Sequence, residues 1–287
     1  MSLRMKLLLN TVIGGWGGLA AWVILDLALK LDLGDLWLTT AFNGAVVGMC
    51  IGALVSSFDG LTEGRLLLLV RGVVTGAFFG LVGGVSGLLA AQAIYQMGIS
   101  AIPAGWLSEL LRVPGWAIFG MAIGVMEGVQ MLSFRRVWMG GIGGIVGGIV
   151  GGFGFAFVAQ FVAFQWSKRA MGFVLLGASV GFFAVLLPIL FRRAWIRVAS
   201  GSDESHEFLL DKSMNSIGKS DFRDVRVRDA TVASKHAEIR KERGQFVIHA
   251  QPGQVVFVNE SSAQVSPLQD GAKLRVGNTK LTFRRKK

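Results

Sequence analysis

The sequence predicts an α-helical polytopic membrane domain followed by a small all-β sandwich, and three observations lead to this fold class. The 287-residue chain has a mean hydropathy of +0.56, and 16% of its residues are charged, against about 25% in ordinary soluble domains. Glycine accounts for 40 residues, about twice its usual share. Of the 47 charged residues, residues 1–197 contain 20 and residues 198–287 contain 27. The first part therefore suits lipid and the second suits water.

Six membrane helices are predicted in the first part. Apolar runs of about 20 residues or more can cross a hydrocarbon core, and they lie near residues 7–29, 37–58, 66–95, 113–132, 137–165 and 170–191. Tryptophans, which favour the headgroup region, fall near the ends of these runs: Trp37, Trp106, Trp116, Trp138, Trp166 and Trp195. Eight basic residues flank the helices on the side of both termini and four on the other side. This excess predicts cytoplasmic termini and a multi-pass protein of a bacterial-type inner membrane.

Glycines recur every four residues in the predicted helices, which places each set on one helix face. Two regular sets are separated by 68 residues: Gly72, Gly76, Gly80 and Gly84, then Gly140, Gly144, Gly148 and Gly152. A weaker copy begins the first helix, and pairs spaced by four mark the alternate helices: Gly14 and Gly18, Gly48 and Gly52, Gly120 and Gly124, Gly177 and Gly181. The pattern predicts three hairpin repeats in a ring or pseudo-threefold bundle. Helix packing is our interpretation of these faces, and a thin-walled pore or an oligomerisation face are the alternatives.

Three charged residues lie inside the predicted membrane helices. Arg71 and Glu127 fall at similar depth on antiparallel helices and could pair, whereas Asp26 has Lys30 one turn later as a local partner. Buried ionisable groups in membranes often mark ion paths, but charges near helix ends also pair structurally. Structural pairing is our first interpretation, and an ion path is the alternative.

The second part has the pattern of a small β-sandwich. Short runs of alternating polar and apolar residues are separated by turn residues such as Gly244, Pro252-Gly253, Asp270-Gly271 and Gly277-Asn278. The predicted organisation is a six-helix domain over residues 1–197, a flexible linker over 198–206 and the sandwich over 207–287. The final Arg284-Arg285-Lys286-Lys287 is predicted to be a disordered basic tail near anionic lipid.

Four segments of the sandwich resemble the forkhead-associated (FHA) domain family. They are Ile217-Gly218-Lys219-Ser220, then Val232-Ala233-Ser234-Lys235-His236-Ala237-Glu238-Ile239, then Phe257-Val258-Asn259, and finally Leu268-Gln269-Asp270-Gly271-Ala272-Lys273-Leu274-Arg275-Val276-Gly277. These segments occur in the family's order over roughly residues 207–284. The resemblance implies a noncatalytic sandwich whose loops bind phosphothreonine.

The resemblance also implies roles for individual loop residues. Residues at phosphopeptide-binding positions are Lys219, Ser234, Lys235 and Gln254, and residues at loop-bracing positions are Gly218, His236 and Asn259. The pocket departs from the family in three places. Lys219 replaces the family's arginine, Ala233 replaces its serine, and Gln254-Val255-Val256 replaces its Asn-Gly-Thr. Retained phosphate binding and phosphate-independent docking are therefore both open.

These patterns favour a membrane-anchored docking or scaffold protein. Its sandwich would bind a cytoplasmic protein, with or without a phosphothreonine, and its helices would contact lipid and either other membrane subunits or a second copy. The alternatives are a small channel or transporter with a regulatory FHA-like domain, and a structural subunit of a membrane complex. No catalytic constellation, cofactor motif or metal-ligand spacing is present, so an enzyme is not expected. The absence of a compact basic stripe argues against nucleic acid.

Overall fold

A computed structural model of the chain describes residues 3–29, 33–64, 66–99, 106–130, 133–161, 165–200, 206–210, 212–220 and 223–286. The chain divides into two compact units, one helical over Arg4–Leu190 and one of β-strands over Phe191–Lys287. A helical region with several apolar helices followed by a β-sandwich is thus confirmed.

The described residues of the helical unit form six long α-helices and one short one. The bounds are α1 Leu3–Trp22, continued as a π-helix over Val23–Leu29, α2 Leu36–Glu63, α3 Leu66–Gly98, α4 Trp106–Glu109, α5 Val113–Gln130, α6 Phe134–Phe161 and α7 Gln165–Leu190. Five stretches among the described residues are long and apolar enough to cross a membrane, in α1, α2, α3, α6 and α7. The apolar stretch at α5, Leu110–Met126, is shorter. The short α4 and the 3-10 turn Leu110–Arg112 that follows it were not predicted.

Local signals explain the ends of α2. The side chain of Asp35 accepts a hydrogen bond from the Leu38 amide at 2.7 Å, which satisfies one of the free N–H groups at the start of the helix. Gly64 ends the helix in the left-handed conformation, with φ of 62°, which costs glycine no steric strain. The helix therefore begins and ends at residues whose chemistry suits those positions.

Glycines bring helix backbones into direct contact at three helix pairs. A Cβ atom on Gly48 of α2 would overlap the carbonyl oxygen of Gly80 on α3. The same overlap would occur between α5 and α6, at Gly120 and Gly144, and between α7 and α1, at Gly177 and Gly14. In each pair, a glycine-rich helix packs against the second helix of a neighbouring predicted hairpin. The first and last helices therefore pack together as the other two pairs do, and these glycine faces contact helices of the same chain.

In the α1–α7 pair, a polar residue, Asn10, occupies one of the positions that glycine occupies in the α2–α3 pair. Asn10 contacts Gly181 where Gly76 contacts Gly52 in the α2–α3 pair. Its side chain is 2% exposed, and its Nδ2 donates to the Gly181 carbonyl oxygen at 2.7 Å. A hydrogen bond between membrane helices adds to the van der Waals contact that holds them together.

Side chains at equivalent positions of the three second helices meet in one buried cluster. Ile51, Ile123 and Val180 each lie one residue before the second glycine of their pair, and they are 0%, 2% and 0% exposed. The helices that carry them, α2, α5 and α7, contact one another. At this level the described side chains between the three helices are apolar and close-packed.

The structure gives Asp26 an ion-pair partner that the sequence did not predict, and it does not test the predicted pairing of Arg71 with Glu127. Asp26 is bound by Arg169 at the start of α7, with 2.8 Å between Oδ1 and Nη1, so its partner lies 143 residues away. The proposed local partner, Lys30, lies outside the described residues. Arg71 is exposed on α3, but the side chain of Glu127 is not among those described, so their pairing stays a prediction.

Eleven strands are described in the β-unit. Their bounds are β1 Ala194–Val198, β2 Glu207–Leu209, β3 Met214–Gly218, β4 Val225–Arg226, β5 Ala237–Glu242, β6 Gln245–Ala250, β7 Val256–Val258, β8 Ser261–Ala263, β9 Val265–Leu268, β10 Lys273–Val276 and β11 Thr279–Arg285. One sheet, sheet A, has the strand order β2-β1-β11-β10-β7-β8. The other, sheet B, has the order β4-β3-β5-β6-β9. All described pairings are antiparallel except β3 with β4.

Alternate residues of both sheets build the sandwich core. Ile196, Leu274 and Phe283 of sheet A and Ile217 and Ile239 of sheet B are at most 1% exposed and belong to one apolar cluster. Their neighbours along each strand face outward, as a period of two residues requires. Burial of alternate positions therefore sets the register of β1, β10 and β11.

The structure divides the chain earlier than the prediction does, because the last helix ends at Leu190 and not at residue 197, and the first strand begins at Ala194 and not near residue 207. Residues 194–198 form β1, whose partner in the sheet is β11, so Trp195 lies in a strand and not at a helix end. Of the predicted linker 198–206, residues 201–205 lie outside the described residues, whereas Val198 belongs to β1 and the next described strand, β2, pairs with β1. Arg284 and Arg285, predicted to be part of a disordered tail, belong to β11. The error arose because the apolar half of β1 continues the hydrophobic composition of α7.

We expect Gly48→Ala to destabilise the helical domain. The new methyl group would overlap the Gly80 carbonyl oxygen, so α2 and α3 must separate at a cost of roughly 1–3 kcal/mol. Thermal unfolding of the detergent-solubilised chain would show a lower midpoint. The matched control is Gly154→Ala, where a Cβ would make an ordinary contact with Leu175, at 3.5 Å. An equal loss in both variants would contradict the packing role of Gly48.

Candidate peptide-docking site

Three loops of the sandwich lie together at one end of sheet B. They are the β3–β4 loop (residues 219–224), the β4–β5 loop (227–236) and the β6–β7 loop (251–255). The Lys219 amide donates to the Ala233 carbonyl oxygen at 3.0 Å, and the Gln251 amide donates to the His236 carbonyl oxygen at 2.9 Å. Backbone hydrogen bonds therefore join the β4–β5 loop to both of its neighbours.

Gly218 allows the first two loops to approach closely. It ends β3 and is buried, and a Cβ atom there would overlap the carbonyl oxygen of Ser234. The Val227 amide donates to the Gly218 carbonyl oxygen at 3.0 Å, which holds the start of the β4–β5 loop beside the same residue. Any side chain at position 218 would push Ser234 away from Lys219 and change the spacing of the two loops.

Two cationic residues of the β3–β4 loop lie beside the backbone of Ala233 and Ser234. Lys219 is exposed on the β3–β4 loop, next to Ala233. Arg223, on the same loop, donates its Nε–H to the Ser234 carbonyl oxygen at 3.0 Å. Its two Nη groups have no hydrogen-bond partner among the described residues, so they can donate hydrogen bonds to a ligand.

Arg223 was missed by the sequence interpretation, which noted that Lys219 lacks a guanidinium fork. Arg223, four residues after Lys219, supplies a guanidinium group in the same loop. Its place in the same loop was the available signal, but only the fold of that loop turns it toward Ser234.

Lys235 forms an ion pair with a carboxylate of its own domain. Its Nζ forms an ion pair with Glu238, which is 2% exposed and also accepts a hydrogen bond from Arg240 Nη2 at 2.8 Å. The hydrogen bond from Lys235 and then that from Arg240 lower the pKa of Glu238. Because the buried carboxylate holds the ammonium group, Lys235 is less suited to phosphate than its position in the family pattern implies.

His236 connects the β4–β5 and β6–β7 loops. The imidazole is 4% exposed. Its Nδ1 accepts from the Ala233 amide at 3.3 Å, so its Nε2 carries the proton and donates to the Val255 carbonyl oxygen at 3.1 Å. Both ring nitrogens are thus used for structure, as a loop-bracing role requires.

Gln254 and Asn259 lie at opposite ends of β7. Gln254 is half-buried in the β6–β7 loop, next to the exposed Val255, and thus belongs to the loop cluster. Asn259 forms the β7–β8 turn with Glu260, where both residues have positive φ. Its Oδ1 accepts from the Lys273 amide at 3.0 Å, so it braces sheet A away from the docking loops.

Asp229 holds the β4–β5 loop against the β10–β11 turn, and the sequence interpretation did not identify it. One oxygen accepts from the amide and hydroxyl of Thr231 at 2.9 and 2.7 Å. The other accepts from the Asn278 amide at 2.8 Å and the Thr279 hydroxyl at 3.2 Å. The bonds from Thr231, then those from Asn278 and Thr279, lower the pKa of Asp229 from 3.8 to about 2.

Comparison with known proteins supports an FHA-like domain at this end of the chain. Residues 197–287 match a family described as "Inner membrane component of T3SS, cytoplasmic domain". The glycogen accumulation regulator GarA of Mycolicibacterium smegmatis is 31% identical over 91 residues, which are 31% of this chain and 58% of that protein. The oxoglutarate dehydrogenase inhibitor of Corynebacterium efficiens is 30% identical over 91 residues, or 31% of this chain and 64% of that protein. This chain thus spans little more than half the length of these relatives.

A solved structure of a T3SS component is also similar. The cytoplasmic domain of the T3SS sorting platform protein PscD from P. aeruginosa is 19% identical, with a TM-score of 0.30. The aligned region covers 32% of this chain and 80% of that one. The family description names an inner membrane component, and five helices of the described residues have the length and composition of membrane-spanning helices.

Within the described residues, no three His, Cys, Asp or Glu side chains come together in a group that could hold a metal ion.

Protection of the Thr231 and Asn278 amides from hydrogen exchange is expected to depend on the charge of Asp229. Its pKa is lower in the folded chain than in the unfolded chain. The stabilisation is therefore complete above about pH 4 and is lost as the pH falls toward about 2. Hydrogen exchange of the full chain, resolved to these amides, should show protection that decreases over this range.

The variant Asp229→Asn tests the assignment. It should lower protection of both amides at neutral pH and remove the acid dependence. The Lys273 amide, which is bound by the uncharged Asn259, is the internal control. Acid-dependent protection that persists in the variant would show that another group is responsible.

Proposed function

We propose that this chain is a membrane-anchored docking protein whose FHA-like domain binds a protein partner through the β3–β4, β4–β5 and β6–β7 loops. The observation that carries the proposal is the pair of cations, Lys219 and Arg223, held beside Ser234 by backbone contacts. Both cations lie on the β3–β4 loop, which is bonded to the β4–β5 loop, and His236 and Asp229 brace the β4–β5 loop. A preorganised loop surface of this kind loses little conformational entropy when a ligand binds.

The chemistry of the two cations favours a phosphorylated segment of the partner. A phosphothreonine has close to two negative charges and three acceptor oxygens at neutral pH. The free edge of the Arg223 guanidinium can donate two parallel hydrogen bonds, and the Lys219 ammonium group adds a mobile charge. Ser234 is exposed between them and can donate its hydroxyl. These groups supply a phosphate with donors even though Lys235 is held by Glu238.

An apolar contact adjoins the cations. Val255 is 47% exposed on the β6–β7 loop, and its carbonyl oxygen is bound by His236. A residue next to the phosphothreonine in the partner could pack against this side chain. The partner is therefore proposed to be an extended segment with an apolar residue near its phosphorylated threonine.

The helical domain supplies the anchor in this proposal. We place the helices in a bacterial inner membrane with both termini in the cytoplasm, because basic residues are in excess on that side. The chain would act without catalysis and gather its partner at the membrane surface. The apolar contact of Ile51, Ile123 and Val180 suits an anchor better than a conduction path.

Phosphopeptide binding by the full chain in nanodiscs tests the function. We expect a phosphothreonine peptide with a neighbouring apolar residue, selected from a degenerate library, to bind more tightly than its unphosphorylated form. Lys219→Ala and Arg223→Ala should each weaken binding about 10-fold or more, as for the loss of a charged hydrogen bond. Fluorescence anisotropy of the labelled peptide measures both effects.

The matched control is Lys241→Ala, which removes an exposed lysine from β5, away from the loops. It should leave the affinity unchanged. Equal affinity for phosphorylated and unphosphorylated peptides would contradict phosphate recognition and would indicate phosphate-independent docking. If no peptide of the library binds, docking through these loops is wrong.

A further inference from the structure

The outer face of sheet A carries five exposed cations on its three central strands. Every second residue of β1, β11 and β10 points away from the core, and the cations at these outward positions are Arg197, Lys273, Arg275, Lys280 and Arg284. We call these five residues the sheet A cationic face. In the sequence they are separated by apolar core residues, so they do not appear as a basic run.

The strand register makes the five cations neighbours. Arg197 and Lys273 both lie opposite Thr282, from its two sides. Lys280 lies directly opposite Arg275. Residues that face one another on adjacent strands have side chains on the same side of the sheet, about 5 Å apart. The face is therefore a continuous patch of positive charge.

Among the described residues of the domain, no carboxylate neutralises the positive charge of this face. None of the five cations forms an ion pair with a carboxylate among the described residues. Glu207, the acidic residue opposite Arg197, is bound by Arg192, with 2.5 Å between Oε2 and Nη1. Sheet B is different, because Glu238 binds Lys235 and Arg240 there.

Like charges on neighbouring strands destabilise a sheet unless something outside it compensates them. Five uncompensated cations therefore indicate an anionic ligand. Phe257 and Trp195 lie on the same face, each stacked under a guanidinium group at 3.8 Å from the ring centroid, those of Arg275 and Arg192. The stacking holds the guanidinium groups flat against the sheet, as a flat partner would require.

Covalent connection favours a lipid surface as that partner. Helix α7 ends at Leu190, and β1, a strand of this face, begins at Ala194. The connecting residues can span at most about 14 Å when fully extended. If α7 crosses a bilayer, β1 stays within one to two Debye lengths of the headgroups, where each basic residue gains affinity for anionic lipid.

We propose that the sheet A cationic face binds the anionic phospholipid headgroups of the membrane that anchors the chain. This surface shares no residue with the docking loops, so both can be occupied together. The role does not depend on phosphopeptide binding. It would limit the motion of the domain on its tether and depend on the lipid composition of the membrane.

Energy transfer from a dye on the domain to acceptor-labelled headgroups tests the proposal in the full chain. The native Cys50 is first replaced by alanine. A dye is then placed through Ser262→Cys, on the outer face of sheet A, or through Val265→Cys, on the outer face of sheet B. Nanodiscs contain phosphatidylcholine alone or with about 30% phosphatidylglycerol, and salt is raised to about 0.5 M to screen the charges.

Transfer from position 262 should increase in anionic discs and return to the neutral value at high salt, while position 265 should not show this increase. In the Ser262→Cys background, the double variant Lys273→Gln with Lys280→Gln should weaken the association of the domain with the anionic lipid surface about fivefold for each charge removed. The matched control, Lys241→Gln with Arg243→Asn, removes the same charge from the β5–β6 hairpin and should have no effect.

Three results would overturn the proposal. They are equal transfer in neutral and anionic discs, an equal loss in the control pair, and a response of position 262 that appears only with added acidic polypeptide or RNA. Far-ultraviolet circular dichroism and the thermal midpoint of each variant establish that it remains folded, so a loss of transfer reports on lipid contact.

Discussion

The pairing of β1 with β11 is the interaction on which the C-terminal domain depends. It joins the strand that follows the last helix to the last strand of the chain, over the register from Ala194–Arg285 to Val198–Leu281. Ile196 and Phe283 meet in the core through this pairing, and their outward neighbours build the cationic face. The chain thus passes from the last helix directly into β1, which lies between β2 and β11 in sheet A.

Loop geometry in the docking site follows from backbone contacts more than from the side chains that would bind a ligand. Gly218 lets Ser234 approach, His236 binds Val255, and Asp229 binds the β10–β11 turn. Lys219 and Arg223 are placed by this frame, and Lys219 is exposed whereas Arg223 is half-buried. The division is physically reasonable, because groups that bind a ligand must leave their donors free, whereas buried polar groups must have theirs satisfied.

The helical domain uses the same principle of close backbone approach on a larger scale. Glycines at three helix pairs bring carbonyl oxygens to the positions that Cβ atoms would occupy, and van der Waals contact is the main force between helices in lipid. The pair that joins α1 and α7 differs, since Asn10 and the Asp26–Arg169 ion pair add polar contacts to it. These two helices are the most distant in sequence, so their contact closes the longest loop of the domain.

The sequence alone was sufficient for the helical region, the sandwich and the FHA-like pattern, because composition and local periodicity encode helices, strands and short motifs. The resemblance to the FHA family also implied roles for Lys219, Gly218 and His236. It could not show that β1 belongs to the sandwich, that Arg169 binds Asp26, or that Arg223 turns toward Ser234. The sequence also does not show the sheet A cationic face as a cluster, because its five residues alternate with core residues on three strands. Tertiary structure decided these features, since each depends on side chains that only strand pairing or helix packing brings together.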